Sequence, residues 1–116
     1  MSGSIGPLDN VVHQRVRLGI LTVLTEAARA DFAFLRDTLE LTDGNLSSNL
    51  QILEQAGYVS IEKTFEGRKP RTWVRSTAAG RRALEAEVAI LESIVSRVNG
   101  ARSRVQEAEP GEEATV

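Results

Sequence analysis

The segment that decides the fold is residues 42–59, TDGNLSSNLQILEQAGYV. It opens with a threonine, a residue type that caps helices, and nears its end with a glycine, which readily takes the left-handed conformation that closes them. Leu46, Leu50 and Leu53 recur at i, i+4 and i+7, so they share one face of a helix. The opposite face is small and polar. The pattern predicts a helix over residues 42–56, apolar behind and lined with hydrogen-bonding groups in front.

The chain that follows changes its period. From Tyr58 to Phe65 apolar and polar residues alternate, which predicts a β-strand. Residues 66–70, EGRKP, predict a turn, and residues 71–76 return as a second strand. The two strands form a β-hairpin too small to be stable alone, so we expect it to lean on the helices.

Two helices are predicted before residues 42–59. The first runs from about Asp9 to about Ala28 and is apolar over more than one face, so we expect both the domain core and a second subunit to cover it. Asp31 is the predicted cap of a short second helix over residues 32–39, and residues 40–41 make a tight turn into the third.

A last helix is predicted over residues 78–98, capped by Thr77. Its apolar residues are spaced 4, 3, 4 and 3, a heptad seam: Leu84, Val88, Leu91, Val95 and Val98. The seam can pack against its own domain or against a second copy, and we expect it to do both. Since the next seam position is Arg102, the helix is predicted to end near Asn99 and Gly100.

These elements predict one domain over residues 8–99, whose dimerisation helix is residues 77–98. Residues 1–7 are predicted to be a flexible lead and residues 100–116 a disordered acidic tail. The sequence has no cysteine, which excludes disulfides, thiolate metal sites and cysteine nucleophiles, and its single histidine argues against a structural zinc site. We therefore predict no metal and no cofactor. Without a signal peptide or a membrane-spanning run, a cytoplasmic location is expected.

The net charge of −2 argues against a nucleic-acid partner, but the charges are unevenly distributed. Residues 1–82 carry eleven Lys or Arg and nine Asp or Glu, whereas residues 83–116 carry three and seven. From Lys63 to Arg75, across the hairpin, there are five basic residues and one acidic residue. Such a local basic patch beside a polar helix face indicates a partner rich in phosphate.

The order of elements, mainly α with a small β-hairpin (α+β; α1-α2-α3-β-β-α4), resembles a known family. It is similar to the winged helix-turn-helix transcriptional regulators in the neighbourhood of the MarR and ArsR repressors, and most of all to the small single-domain regulators of bacteria and archaea. Six blocks within residues 8–98 carry the resemblance: 17–21 (RLGIL), 31–35 (DFAFL), 41–47 (LTDGNLS), 53–59 (LEQAGYV), 67–72 (GRKPRT) and 77–81 (TAAGR). Two positions depart from the pattern. Position 76 is usually apolar in such proteins but is serine here, and position 49 is often histidine but is asparagine here.

The resemblance makes residues 42–56 a recognition helix in the major groove of double-stranded DNA, and residues 65–71 a basic wing on the backbone or minor groove. The implied DNA-binding residues are Thr42, Asn45, Ser47, Ser48, Asn49, Gln51, Lys63, Arg68, Lys69 and Arg71. The implied homodimer interface consists of Val12, Val16, Leu84, Val88, Leu91, Val95 and Val98. A two-fold dimer predicts a pseudo-palindromic DNA site. A small-molecule effector between the dimer helices is a further expectation that no residue specifies.

Other interpretations remain open at this point. A polar helix face can simply be solvated, and a charged hairpin tip can be no more than a soluble turn. The same fold can serve as a protein–protein interaction module without binding DNA, which the acidic balance permits. Arg15 and Arg17 can contact phosphates or bind acidic residues within the chain. An enzyme is not expected, because no nucleophile–base pair, metal cluster or glycine-rich phosphate loop is present.

Overall fold

The computed structural model describes residues 8–108 of the chain, which form helices and strands in the predicted order with one strand added. The elements are α1 Arg15–Glu26, β1 Ala30–Asp31, α2 Phe32–Leu39, α3 Asp43–Gln55, β2 Val59–Glu66, β3 Lys69–Ser76 and α4 Ala78–Ala108. This confirms the predicted fold class, mainly helical with a small β-hairpin wing. The strands form a three-stranded antiparallel sheet in the order β1-β3-β2.

The first helix starts later than predicted, at Arg15 and not at Asp9. The Asp9 carboxylate accepts hydrogen bonds from the backbone N–H groups of Val11 (2.8 Å) and Val12 (3.2 Å), so it caps a turn before the helix. The Gln14 side chain then caps α1 by accepting from the Arg17 N–H. At its other end α1 stops at Glu26, because residues 30–31 extend to pair with β3.

The connection from α2 to α3 follows the prediction. Asp31 caps α2 by accepting from the Phe34 N–H at 2.7 Å, and Thr42 caps α3 by accepting from the Asn45 N–H at 3.1 Å. Between the helices Glu40 takes a left-handed conformation, with φ of 54°. Gly57, with φ of 80°, follows the C-terminal end of α3 as predicted.

The hairpin has a longer second strand and a tighter turn than predicted, and its first strand is shifted by one residue. Val59 pairs with Ser76 at its base and Glu66 with Lys69 at its tip, so only residues 67–68 form the turn. Gly67 has φ of 66° there, a conformation that favours glycine. Strand β1, which the sequence did not predict, adds Ala30 opposite Val74.

One apolar core holds residues 8–87 together. Its buried members are Val12, Ile20, Leu21, Leu24, Ala30, Leu35, Leu46, Leu50, Leu53, Val59, Val74 and Leu84. The three leucines of α3 are therefore its rear face, as predicted. Val12 and Leu84 are also in this core, with 0% and 7% of their surface exposed, and Val16 packs against it half-buried. The prediction that Val12 and Leu84 face a second subunit is corrected: they fill the interior of one chain.

The last helix is longer than predicted. Residues 78–87 of α4 belong to the compact unit formed by residues 8–87. The rest of the helix, residues 88–108, belongs to a second unit. The predicted stop at Asn99 and Gly100 is wrong, because one glycine costs a helix only about 1 kcal/mol relative to alanine and good helix formers follow it. Residues 100–108 are helical, not disordered. The predicted flexible lead (1–7) and the last part of the predicted tail (109–116) lie outside the described residues.

The longer helix also extends the heptad seam to Val105, one heptad after Val98. Val88, Val95, Val98 and Val105 are between 39% and 56% exposed, and Leu91 is half-buried. Within residues 8–108, no helix has an apolar stretch that could cross a membrane.

Candidate nucleic-acid interface

The front of α3 is an exposed polar surface. Its side chains are Thr42, Asn45, Ser47, Ser48 and Gln51, all of them exposed, while the leucines behind them are buried. Thr42 is committed to capping, but the others present hydroxyl and amide groups to solvent. The structure thus leaves five of the six residues predicted for this helix exposed to solvent.

Asn49 is the exception, since it is buried, with 8% exposed, and its amide is bonded within the protein. Its Nδ2 donates to the Asn45 backbone carbonyl (2.9 Å) and to Asn45 Oδ1 (2.7 Å). Its Oδ1 accepts from Arg17 Nη1 at 2.9 Å. This differs from the prediction that Asn49 contacts DNA, because the amide groups that would read a base are already occupied.

Arg17 therefore donates its hydrogen bonds to groups within the chain, although none of these groups is an acidic side chain. Besides Asn49, it donates to the backbone carbonyls of Val11 (2.6 Å) and Asn10 (3.3 Å). It fixes the turn before α1 to the buried side of α3. Arg15, by contrast, is exposed.

The N-terminal end of α3 is electrostatically balanced by Arg36. This arginine donates to Asp43 at 3.0 Å and to Asp37 at 2.9 Å, and both carboxylates raise its pKa. Asp43 suits the positive end of the helix dipole, but its charge would repel a phosphate approaching the same end. The Arg36 guanidinium offsets that repulsion. The sequence analysis did not single out this arginine.

Three basic side chains of the wing are exposed and make no polar contact with the described part of the chain. Lys63, Arg68 and Lys69 are exposed, and none of them forms an ion pair or a side-chain hydrogen bond within residues 8–108. By strand register Lys63 lies opposite Thr72 and Phe65 opposite Pro70, on the sheet face that continues from the core residues Val59 and Val74. Strand β2 also packs against α3, which sets this face of the wing beside the polar helix.

Phe65 was not among the predicted site residues. It is 68% exposed near the wing tip, on the same strand face as Lys63. A single exposed apolar side chain is common on protein surfaces and does not by itself indicate a partner. The alternation of β2 places it on that face, but its lack of cover could be seen only in three dimensions.

Arg71 is bound differently from the other wing cations. It donates to Asp31 from Nε (3.0 Å) and Nη2 (2.8 Å) and to Glu66 from Nη1 (2.6 Å), and it lies over the Trp73 ring together with Arg29. The pKa of Asp31 is lowered, first by the Phe34 N–H and then by the Arg71 guanidinium, and the pKa of Arg71 is raised. Arg71 thus anchors the wing to the start of α2, whereas the sequence predicted a DNA contact.

The chain matches known proteins over most of this region. A family model described as the winged helix DNA-binding domain matches residues 16–95. An uncharacterised protein of Methanocaldococcus jannaschii is 36% identical over 75 residues, 65% of this chain and 82% of that protein. A transcriptional regulator homologue from Pyrococcus horikoshii OT3 has a TM-score of 0.73 at 31% identity, covering 78% of this chain and 89% of that one. A PadR-like transcription factor from Bacteroides fragilis has a TM-score of 0.67 at 22% identity, covering 80% and 99%.

This chain belongs to the winged helix DNA-binding domain family. The predicted winged helix-turn-helix resemblance is confirmed, and the relatives support a DNA-binding regulator of transcription. The narrower resemblance to the MarR and ArsR repressors is not established by these matches, and solved regulators described as PadR-like stand among the structural neighbours.

Proposed function

We propose that this protein is a sequence-specific regulator that binds double-stranded DNA as a homodimer, with α3 in the major groove and the wing on the backbone or minor groove. The observation that carries the proposal is the combination of an exposed polar helix face with a neighbouring hairpin on which Lys63, Arg68 and Lys69 have no partner within residues 8–108. Hydroxyls and amides suit base edges, and unpaired lysine and arginine suit phosphates.

We divide the predicted contacts into residues that meet DNA and residues that hold them in position. Asn45, Ser47, Ser48 and Gln51 are assigned to the groove, Thr42 to the helix N-terminus near a phosphate, and Lys63, Arg68 and Lys69 to the backbone. Asn49 and Arg71 are assigned to holding α3 and the wing in place, because their polar atoms are bonded within the chain. Since α3 carries no basic residue, we expect most of the affinity to come from the wing and from pairing of two subunits.

The homodimer is proposed to form through the exposed half of α4. A row of Val88, Leu91, Val95, Val98 and Val105 at alternating spacings of 3 and 4, ending in a further spacing of 7, is the pattern that a second helix covers. Two recognition helices related by a two-fold axis would lie roughly 34 Å apart, one turn of DNA, which calls for a pseudo-palindromic site. A cytoplasmic location and a small-molecule effector stay predictions.

The wing assignment is tested by replacing Arg68 and Lys69 together with alanine. We expect weaker binding to every duplex and a log–log salt dependence shallower by about two per subunit, since roughly 0.9 of slope is lost with each phosphate contact. A matched control removes two positive charges away from the wing tip, at Arg75 near the base of β3 and at Arg82 on α4. Electrophoretic mobility shift between about 50 and 200 mM salt measures both. Equal slopes for the two double variants would contradict the assignment.

A further inference from the structure

The side-chain amides of Asn45 and Asn49 have orientations that follow from the chemistry of their partners. An arginine guanidinium has only donors, so the atom of Asn49 that meets Arg17 Nη1 must be its oxygen. The Asn49 nitrogen then points the other way, where it meets the Asn45 backbone carbonyl, which can only accept. A donor-only group at one end and an acceptor-only group at the other therefore fix this amide.

The same logic passes to Asn45. Both Asn49 hydrogens are directed at Asn45, one to its backbone carbonyl and one to its side chain, so the side-chain atom facing Asn49 must be Oδ1, at 2.7 Å. Asn45 Nδ2 is left with its two N–H donors and makes no hydrogen bond within residues 8–108. The residue is exposed in the first turn of α3, the part of a recognition helix that meets base edges.

We propose that Asn45 determines base preference as a hydrogen-bond donor, and that Arg17 and Asn49 are positioning residues that hold it in that orientation. The proposal rests on the proposed function. In the major groove the acceptors are guanine N7 and O6, adenine N7 and thymine O4, whereas cytosine offers only a donor. The base facing Asn45 is therefore guanine, thymine or adenine, each of which offers an acceptor, and cytosine at that position is rejected.

The orientation can be tested without DNA. In the free protein, side-chain amide hydrogen exchange followed by NMR should find the Asn49 NH₂ group protected and the Asn45 NH₂ group exchanging freely with water. The variant Asn49→Asp keeps the acceptor for Arg17 but has no hydrogen to donate, so the Asn45 side-chain signals should shift while those of Gln51 do not. A protected Asn45 NH₂ beside a freely exchanging Asn49 NH₂ would overturn the proposal.

The base preference is tested by Asn45→Asp, which still offers an oxygen to Asn49 but turns an acceptor outward where the donor was. At one position of each half-site, from which the parent excludes cytosine, sequences selected from a random duplex pool should gain cytosine, with the other positions unchanged. Asn49→Asp should instead lower discrimination at that same position by about tenfold. Gln51→Glu is the charge-matched control on the same helix face, and should leave the base preference at that position unchanged.

The outcomes separate the two claims. If the parent selects a defined site and Asn45→Asp selects the same one, the donor assignment falls while the proposed function stands. If the parent binds no duplex at micromolar concentration, the proposed function fails and the DNA role of Asn45 fails with it, whatever the amide exchange shows.

Discussion

Gly80 is the residue at which the start of α4 meets the chain leaving α3. The Thr77 N–H donates to the Tyr58 carbonyl (3.1 Å), and the Thr77 hydroxyl donates to the Gly57 carbonyl (2.6 Å). These bonds bring the first turn of α4 so close that a Cβ on Gly80 would overlap the Tyr58 carbonyl. Ser76, the last residue of β3 and two residues before α4, is buried. A small residue at position 80 is thus a condition for seating α4 against the end of α3.

Replacing Gly80 with alanine should destabilise the protein by about 2 kcal/mol or more, because backbone must move to admit the methyl group. The matched control is Gly44→Ala in α3, where an added Cβ meets nothing within 4 Å. That change should be neutral or stabilising by up to about 1 kcal/mol, since alanine favours helix. Urea unfolding of both variants at pH 7 measures the difference, and equal stabilities would contradict the close approach.

At the scale of single elements, the sequence predicted what neighbouring residues decide. The caps Asp31 and Thr42 and the glycine after α3 act within a turn of chain, so their residue types sufficed. Strand β1 was missed because two residues are too few to show a period, and its pairing depends on β3 more than forty residues later. The end of α4 was misjudged because one glycine and one seam arginine were read as a stop.

The candidate site divides in the same way. The exposed face of α3 and the cations of the wing follow from periodicity and composition, and the structure places them as expected. The burial of Asn49 depends on Arg17, which lies thirty-two residues earlier in the chain. The anchoring of Arg71 depends on Asp31, forty residues earlier. Such long-range pairs carry no local signal, so a single sequence could not separate the residues that contact DNA from those that position them.

The contact between Asp31 and Arg71 predicts a pH dependence for the wing and α2. Because the pKa of Asp31 is below 3.8 in the folded chain, its carboxylate contributes stability that is present above about pH 4 and lost as the pH falls through the lowered pKa. Asp31→Asn keeps a good helix cap but removes the charge. The variant should be less stable than the parent at pH 7, and the difference should shrink as the pH falls below about 4.

Urea unfolding from pH 7 to pH 2 checks this expectation. The control is Glu54→Gln, which removes a carboxylate that is exposed and has no ion pair within the described part of the chain. Its stability should follow the parent's across the range. Parallel pH profiles for Asp31→Asn and the parent would show that the contact between wing and helix contributes nothing.

At the scale of the whole molecule, the proposed function depends on the pairing of two copies of the chain. Because the recognition helix α3 has no basic residue, one subunit alone is expected to bind DNA weakly. Pairing through the exposed apolar row on α4 would raise the affinity by presenting two recognition helices at once. Val95→Glu with Val98→Glu should therefore make the protein monomeric, as measured by sedimentation equilibrium, and weaken binding to a two-half-site duplex. The control is Ser93→Glu with Ser96→Glu, which adds the same charge to the outer heptad positions and should leave the dimer intact. A parent that sediments as a monomer at micromolar concentration would contradict the dimer.

The central claim is that α3 and the wing read double-stranded DNA as one half of a pair. Repeated selection of bound sequences from a random duplex pool at low salt tests it most directly. The account predicts an enriched site with two inverted half-sites whose centres are about 10 base pairs apart, and binding that falls steeply with salt. No retention of any duplex at micromolar protein, or retention without enrichment of a sequence, would contradict it.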